Sequence, residues 1–126
     1  MTMSRIARTA VVLAVAAGMS ACSSGSGEPA PPPDDADAVV VGTDSFLFEP
    51  AEVQVPAGGA VVALQCEPSL PHDFVVEVAG GEQTVTECAG GQTGSGEADL
   101  EAGTYVFFCS IPGHRAAGME GTLTVG

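Results

Sequence analysis

From residue 38 to its last residue, the chain is a succession of short apolar runs separated by glycine, proline and acidic residues. No stretch keeps the apolar spacing of an amphipathic helix over several turns. Short apolar runs that recur roughly every 8–12 residues, with turn-forming residues between them, are typical of a β-sandwich. We therefore predict an all-β domain with strands over residues 38–43, 52–55, 60–66, 72–78, 83–87, 96–100, 104–109 and 119–125.

The first 21 residues have the composition of an export signal. Arg5 and Arg8 form a basic start, and residues 10–17 are an apolar run too short to span a bilayer. Residues 19–22 (MSAC) resemble a bacterial lipobox, in which the cysteine is acylated and becomes the new N-terminus. We predict a lipoprotein signal over residues 1–21, and an ordinary secretory signal followed by a chance cysteine is the alternative.

Residues 22–38 are predicted to be the acylated Cys22 and a flexible linker. Four of the nine prolines lie in residues 23–37, and no large apolar side chain accompanies them, so little surface can be buried there to offset the cost of ordering. More than one acyl chain on Cys22 would give lasting membrane attachment. We expect an exported protein, anchored to the outer face of the cell membrane, with its folded domain over residues 39–126.

The charge balance excludes several classes of partner and activity. The chain has 16 Asp and Glu but only 3 Lys and Arg, and removal of the leader would leave Arg115 as the one cation. Such a negative chain repels phosphate backbones, so nucleic-acid binding is disfavoured. A chain of 126 residues is too short for a large enzyme, and no acid–base pair stands out in it. We expect a monomer without enzymatic activity.

The number of cysteines predicts one thiol outside any internal disulfide. If Cys22 is acylated, three cysteines remain in an oxidising compartment, where thiols are usually paired or bound to metal. We predict a disulfide between Cys66 and Cys88, which leaves Cys109 for another role.

A C-x4-H-x4-M motif begins at Cys109 and continues through His114 and Met119. A thiolate, two imidazoles and a weak thioether suit copper cycling between Cu(I) and Cu(II) in a trigonal site with a long axial Met. Such a site needs a second histidine, and His72 is the only other histidine in the chain. Taken alone, Met119 could equally be core filler and the histidines could be polar surface groups.

With these motifs in this order, residues 39–126 resemble the cupredoxins, the plastocyanin-like and azurin-like blue copper proteins. The matching segments are FLFEP at 46–50, VQVPAG at 53–58, PHDF at 71–74, AGTYVFFC at 102–109, GH at 113–114 and MEGT at 119–122. The resemblance implies a Greek-key β-sandwich with one type 1 copper ion per chain, bound by His72, Cys109, His114 and Met119. It also implies a protein that shuttles single electrons between membrane-associated redox partners.

Departures from the family pattern refine the predicted site. The ligand loop has no second cysteine, so the site should be mononuclear. Asp73 follows the first histidine where the family usually has Asn, and its carboxylate could accept a hydrogen bond from Ser110 but cannot donate one. Some family members have proline at the position of Ile111. Ile111 keeps its backbone N–H, which could bond the Cys109 sulfur.

Two other functions stay open beside the electron carrier. A copper chaperone or storage lipoprotein is the main alternative, and a metal-free structural sandwich with a paired Cys109 is the other. For the carrier we expect redox protein partners with a basic docking surface, oriented by Arg115. A nearly uncharged patch around His114 should form the contact, unless its residues serve only to keep water from the metal. The patch consists of Leu70, Pro71, Ile111, Pro112, Ala116, Ala117 and Gly118.

Overall fold

The computed structural model describes residues 27–126, so the predicted leader and Cys22 lie outside the described residues. The strands in this part are β1 (Ala38–Gly42), β2 (Phe48–Glu49), β3 (Glu52–Val55), β4 (Ala60–Cys66), β5 (His72–Val78), β6 (Gly81–Cys88), β7 (Thr93–Ala98), β8 (Gly103–Phe108) and β9 (Glu120–Val125). A short 3₁₀ helix, Arg115–Ala117, precedes β9. None of the helical structure within residues 27–126 is long and apolar enough to cross a membrane.

The strands form two sheets that pack as a Greek-key β-sandwich, so the predicted fold class is confirmed. One sheet has the strand order β2-β1-β4-β7, and the other has the order β3-β9-β8-β5-β6. The β1–β4 and β3–β9 pairs are parallel and the remaining pairs are antiparallel. The two ligand-bearing segments therefore lie in one sheet, because β5 pairs with β8 and β8 pairs with β9.

The core between the sheets is built from alternate residues of the strands. In β3 the two valines are buried while the Glu and Gln beside them are exposed, which is the two-residue period of a strand with one solvated face. The rings of Phe74 and Phe107 stack at a centroid distance of 4.4 Å, and Phe48 lies 5.1 Å from Phe107. This aromatic cluster joins β2, β5 and β8 across the gap between the sheets.

Most strands lie close to their predicted positions. β3, β4 and β5 begin and end at the predicted residues, and β1, β6, β8 and β9 differ by one or two residues at an end. β2 was not predicted, because two residues are too few to show a periodic pattern.

The strand predicted over residues 96–100 is wrong and lies instead at β7, which begins three residues earlier. Gly94, which lay outside the predicted strand, and Gly96, which was its first residue, allow the backbone of β7 to lie directly against β6. A Cβ at Gly94 would stand 2.0 Å from the Glu87 carbonyl oxygen, and one at Gly96 would stand 1.8 Å from that of Val85. These two glycines therefore close one edge of the sandwich.

The last residues of the predicted linker make hydrogen bonds to the sheet. The Ala30 carbonyl accepts hydrogen bonds from Gln65 Nε2, at 3.1 Å, and from the Thr93 hydroxyl. Asp37 and Val61 exchange two hydrogen bonds of 2.8 Å. On the side of the linker, these contacts are made by the Ala30 carbonyl and by the main chain and carboxylate of Asp37.

Cys66, the last residue of β4, is joined to Cys88, the last residue of β6, by a disulfide. Because β4 and β6 belong to different sheets, the bond ties the two layers of the sandwich together. Cys109 is a free and buried thiol, so the metal-free alternative with a paired Cys109 is not what the structure shows.

We expect the double variant Cys66→Ala/Cys88→Ala to lose about 3 kcal/mol of unfolding free energy, because the bond closes a loop in the unfolded chain. The sequence separation of the two cysteines is 22 residues. Urea unfolding at equilibrium measures the loss. The native protein, unfolded by urea in the presence of a dithiol reductant, should show the same loss of unfolding free energy. Unchanged stability in both experiments would contradict the prediction.

Candidate metal centre

His72 is the first residue of β5, and its imidazole lies in the gap between the sheets. The residue is only 1% exposed. Its ring lies on Gly42 at the end of β1, where an added Cβ would stand 2.6 Å from His72 Cδ2. Position 42 must therefore lack a side chain for the ring to fit. The sequence analysis missed Gly42, because nothing near this glycine in the chain signals that a distant histidine packs on it.

The segment between β8 and β9 carries Cys109, His114 and Met119, and main-chain hydrogen bonds fold it back on itself. The Cys109 N–H donates to the Met119 carbonyl at 3.1 Å, and the Met119 N–H donates to the His114 carbonyl at 3.1 Å. The His114 N–H donates to the Ile111 carbonyl at 3.0 Å. Residues that are three, five and ten apart in the sequence are thereby held side by side.

The predicted donor atoms of three residues converge. The Nδ1 atoms of His72 and His114 are 3.3 Å apart, and His114 Nδ1 lies 3.5 Å from Cys109 Sγ. The ligand atoms of these three residues all lie within 4.8 Å of one another, and all three residues are buried. Met119, the fourth predicted ligand, is also fully buried, and its main chain bonds to both Cys109 and His114.

Burial sets the protonation of two of these groups. It lowers the pKa of His72, and repulsion from His114 acts in the same direction, so the neutral imidazole that binds metals is favoured. Burial raises the pKa of the Cys109 thiol, while hydrogen bonding from the main chain of Asp73 and Ile111 opposes that rise. A metal that binds here must therefore displace the thiol proton.

The predicted hydrogen bond between Asp73 and Ser110 is confirmed. The Asp73 carboxylate accepts the Ser110 N–H at 2.6 Å and also accepts the Ser110 hydroxyl. Asp73 follows His72 and Ser110 follows Cys109 in the chain. These two bonds therefore fasten the start of the ligand loop to the strand that carries the first histidine.

Phe46 is a further neighbour of the site and was not among its predicted residues. Its ring contacts the His114 ring edge to face at a centroid distance of 4.9 Å. It adopts a φ of 60°, which is uncommon for a bulky residue. A turn in which the Thr43 N–H donates to the Leu47 carbonyl at 2.9 Å holds it there.

The chemistry of this donor set fits copper. Two imidazole nitrogens and one thiolate sulfur, with a thioether in the same loop, are the donors of blue copper sites, whereas magnesium and calcium prefer oxygen donors. Because Cys109 is the one free cysteine among residues 27–126, these donors suit a single ion and not a thiolate-bridged pair.

The comparisons with known proteins agree with this chemistry. The family model described as "Copper binding proteins, plastocyanin/azurin family" matches residues 36–126. Among curated protein sequences, none matches the chain significantly.

Three solved structures share the fold at low sequence identity. The dithionite-reduced auracyanin from Roseiflexus castenholzii has a TM-score of 0.60 at 18% identity, over 71% of this chain and 95% of that one. Auracyanin B gives a TM-score of 0.54 at 19% identity, over 75% and 92% of the two chains. An azurin from Methylomonas sp. strain J gives a TM-score of 0.54 at 18% identity, over 70% and 95%. At these identities the likeness shows the fold alone.

The contact between Gly42 and His72 can be tested with a methyl group. We expect Gly42→Ala to displace the imidazole and to weaken Cu(II) binding by about tenfold, the effect of disturbing the outer shell of a metal site. A matched control is Gly81→Ala, because a Cβ at Gly81 has no neighbour within 4 Å. Competition titration against a chelator measures both affinities, and equal affinities would contradict the assigned contact.

Proposed function

The chain belongs to the plastocyanin/azurin family of copper-binding proteins, and we propose that it carries single electrons by means of one mononuclear type 1 copper ion. The observation that carries this proposal is the convergence of two imidazole nitrogens and one sulfur in a buried site. His72, Cys109, His114 and Met119 are the residues that would hold the ion. When bound, copper would supply a one-electron couple between Cu(I) and Cu(II).

The part played by the chain is to hold these donors in a fixed arrangement and to exclude water from them. The Asp73 carboxylate fastens Ser110, and the Cys109 N–H donates to the Met119 carbonyl, so both ends of the ligand loop are tied down. A donor set that is ordered in advance needs little rearrangement when its charge changes. Such rigidity supports a carrier, which keeps its ion through every cycle.

The same burial argues against the chaperone or storage function. A protein that hands over its metal needs donor atoms that a recipient can reach. His72 and Met119 are 1% and 0% exposed, so an acceptor cannot approach them without opening the sandwich. We propose no catalytic conversion of a substrate.

We further propose that electrons pass through the patch around His114. Pro71, Pro112, Ala116, Ala117 and Gly118 are exposed, while Leu70 and Ile111 are partly buried. None of the residues of the patch has a charged side chain, and Arg115 lies next to the patch. A small, weakly apolar contact suits a brief encounter with a redox protein.

Arg115, which was expected to orient the molecule at the interface, is paired with neighbouring acidic groups. Its guanidinium lies 2.7 Å from the Glu77 carboxylate and its Nε lies 3.0 Å from that of Glu120. The guanidinium carbon also stands 4.1 Å from the centre of the Phe108 ring. The attraction of a basic partner would therefore come from the surrounding carboxylates, not from Arg115.

The proposed location is the outer face of the cell membrane, with Cys22 as the acylated anchor. This proposal is supported by the basic start, the short apolar run and the lipobox-like residues 19–22. Membrane-associated redox proteins are the proposed donors and acceptors.

The thiolate is the source of the expected blue colour. The native protein given Cu(II) should turn intensely blue, and Cys109→Ser should lose the blue absorption, because the charge-transfer transition starts from this sulfur. Far-UV circular dichroism of the metal-free variant checks that the sheet content is retained. A blue band that survives in a folded Cys109→Ser variant, or a colourless native protein, would overturn the proposed site.

A single added charge can distinguish the effect of contact at the docking patch from the effect of long-range electrostatic steering. We expect Ala117→Asp to slow electron exchange with a basic haem protein several-fold in stopped-flow experiments, while the copper spectrum stays unchanged. The matched control is Ala79→Asp, which adds the same charge at an exposed turn between β5 and β6. The effect of Ala79→Asp on the rate of electron exchange should be smaller and should vanish as the salt concentration is raised. Equal rates for both variants and the native protein at every salt concentration would contradict the patch and the steering.

A further inference from the structure

The disulfide lies directly behind one metal ligand. Cys88 is the cross-strand partner of His72 in the β5–β6 ladder. On the other sheet, Cys66 is the cross-strand partner of Gly42 in the β1–β4 ladder. Gly42 is also the residue on which the His72 ring lies. The four residues therefore form a closed circuit, in which each contacts or is bonded to the next.

This circuit crosses the gap between the two sheets twice. One crossing is the packing of the His72 imidazole on Gly42, and the other is the disulfide. The width of the gap at this point decides how firmly the imidazole is held. The disulfide is the only covalent bond that sets this width within the part of the chain that the structure describes.

Hydrogen bonding does not hold the imidazole from its far side. His72 Nε2 is buried and has no hydrogen-bond partner among residues 27–126. Histidine ligands normally use their second nitrogen for a bond that fixes the ring. For His72, packing between the sheets has to supply that orientation.

We infer that the Cys66–Cys88 disulfide is a positioning element for His72, because it keeps the two sheets at the spacing that clamps the imidazole against Gly42. The choice of copper as the ion rests on the proposed function, whereas the clamp itself acts in the metal-free protein. Neither cysteine touches the metal, so both act through the ring that they help to fix.

The test compares the ring and its metal affinity with and without the disulfide. In metal-free Cys66→Ala/Cys88→Ala, we expect the imidazole ¹⁵N resonances of His72 to shift and broaden in NMR spectra. Cu(II) binding should weaken by about tenfold, as for other outer-shell disruptions. The matched control is Leu100→Ala, which removes core contacts elsewhere, between β7 and β8. It should lower stability while leaving the His72 resonances and the Cu(II) affinity unchanged.

A second measurement removes the dependence on a variant that fails to fold. The measurement uses a dithiol to reduce the disulfide of the metal-free protein, and a cavity of about 380 Å³ that Cys88 lines lies on this side of the bond. Reduction should produce the same change in the His72 resonances, and reoxidation should reverse it. Unchanged resonances after complete reduction, or in a folded double variant, would overturn the inference. If the native protein binds no Cu(II), the proposed function fails. The His72 resonances of the metal-free protein still decide whether the disulfide positions the imidazole.

Discussion

The spacing of the two sheets where β4 and β6 end controls the metal centre, because the imidazole of His72 lies in that gap. The ring rests on the bare backbone of Gly42 in one sheet and belongs to a strand of the other. The remaining donors come from a loop that is held by its own main-chain hydrogen bonds and by the bonds of Ser110 to Asp73. The site is thus assembled from a hydrogen-bonded loop and one ligand whose place depends on how closely the layers pack.

Much of this arrangement was predictable from the sequence, for physical reasons. β3, β4 and β5 are apolar or alternating runs bounded by Pro and Gly, and such runs are specified locally. Cys109, His114 and Met119 were recognisable because their donors are chemically unusual together and close in the chain. The position of β7 and the role of Gly42 were not predictable, because both depend on contacts with residues that only the folded sandwich brings near.

Asp73 shows how one residue can serve both the structure and the electrostatics of the site. Its carboxylate fastens Ser110, and through it the start of the ligand loop, to β5. The same carboxylate lies next in the chain to His72, where its negative charge would favour the more positive Cu(II) state of a bound ion. The two hydrogen bonds from Ser110 would oppose this effect by stabilising the charge on the carboxylate. The reduction potential of the proposed carrier would therefore depend on a residue that does not bind the ion.

The pairing of Arg115 with Glu77 and Glu120 has a consequence for encounters between copies of the protein. Within residues 27–126 it leaves no unpaired Lys or Arg to meet the carboxylates of a second molecule. Two copies that approach each other therefore face mutual repulsion, which acts over about 8 Å at physiological salt. In the proposed carrier this repulsion would slow electron exchange between two copies, so that transfer to a partner of opposite charge would be favoured.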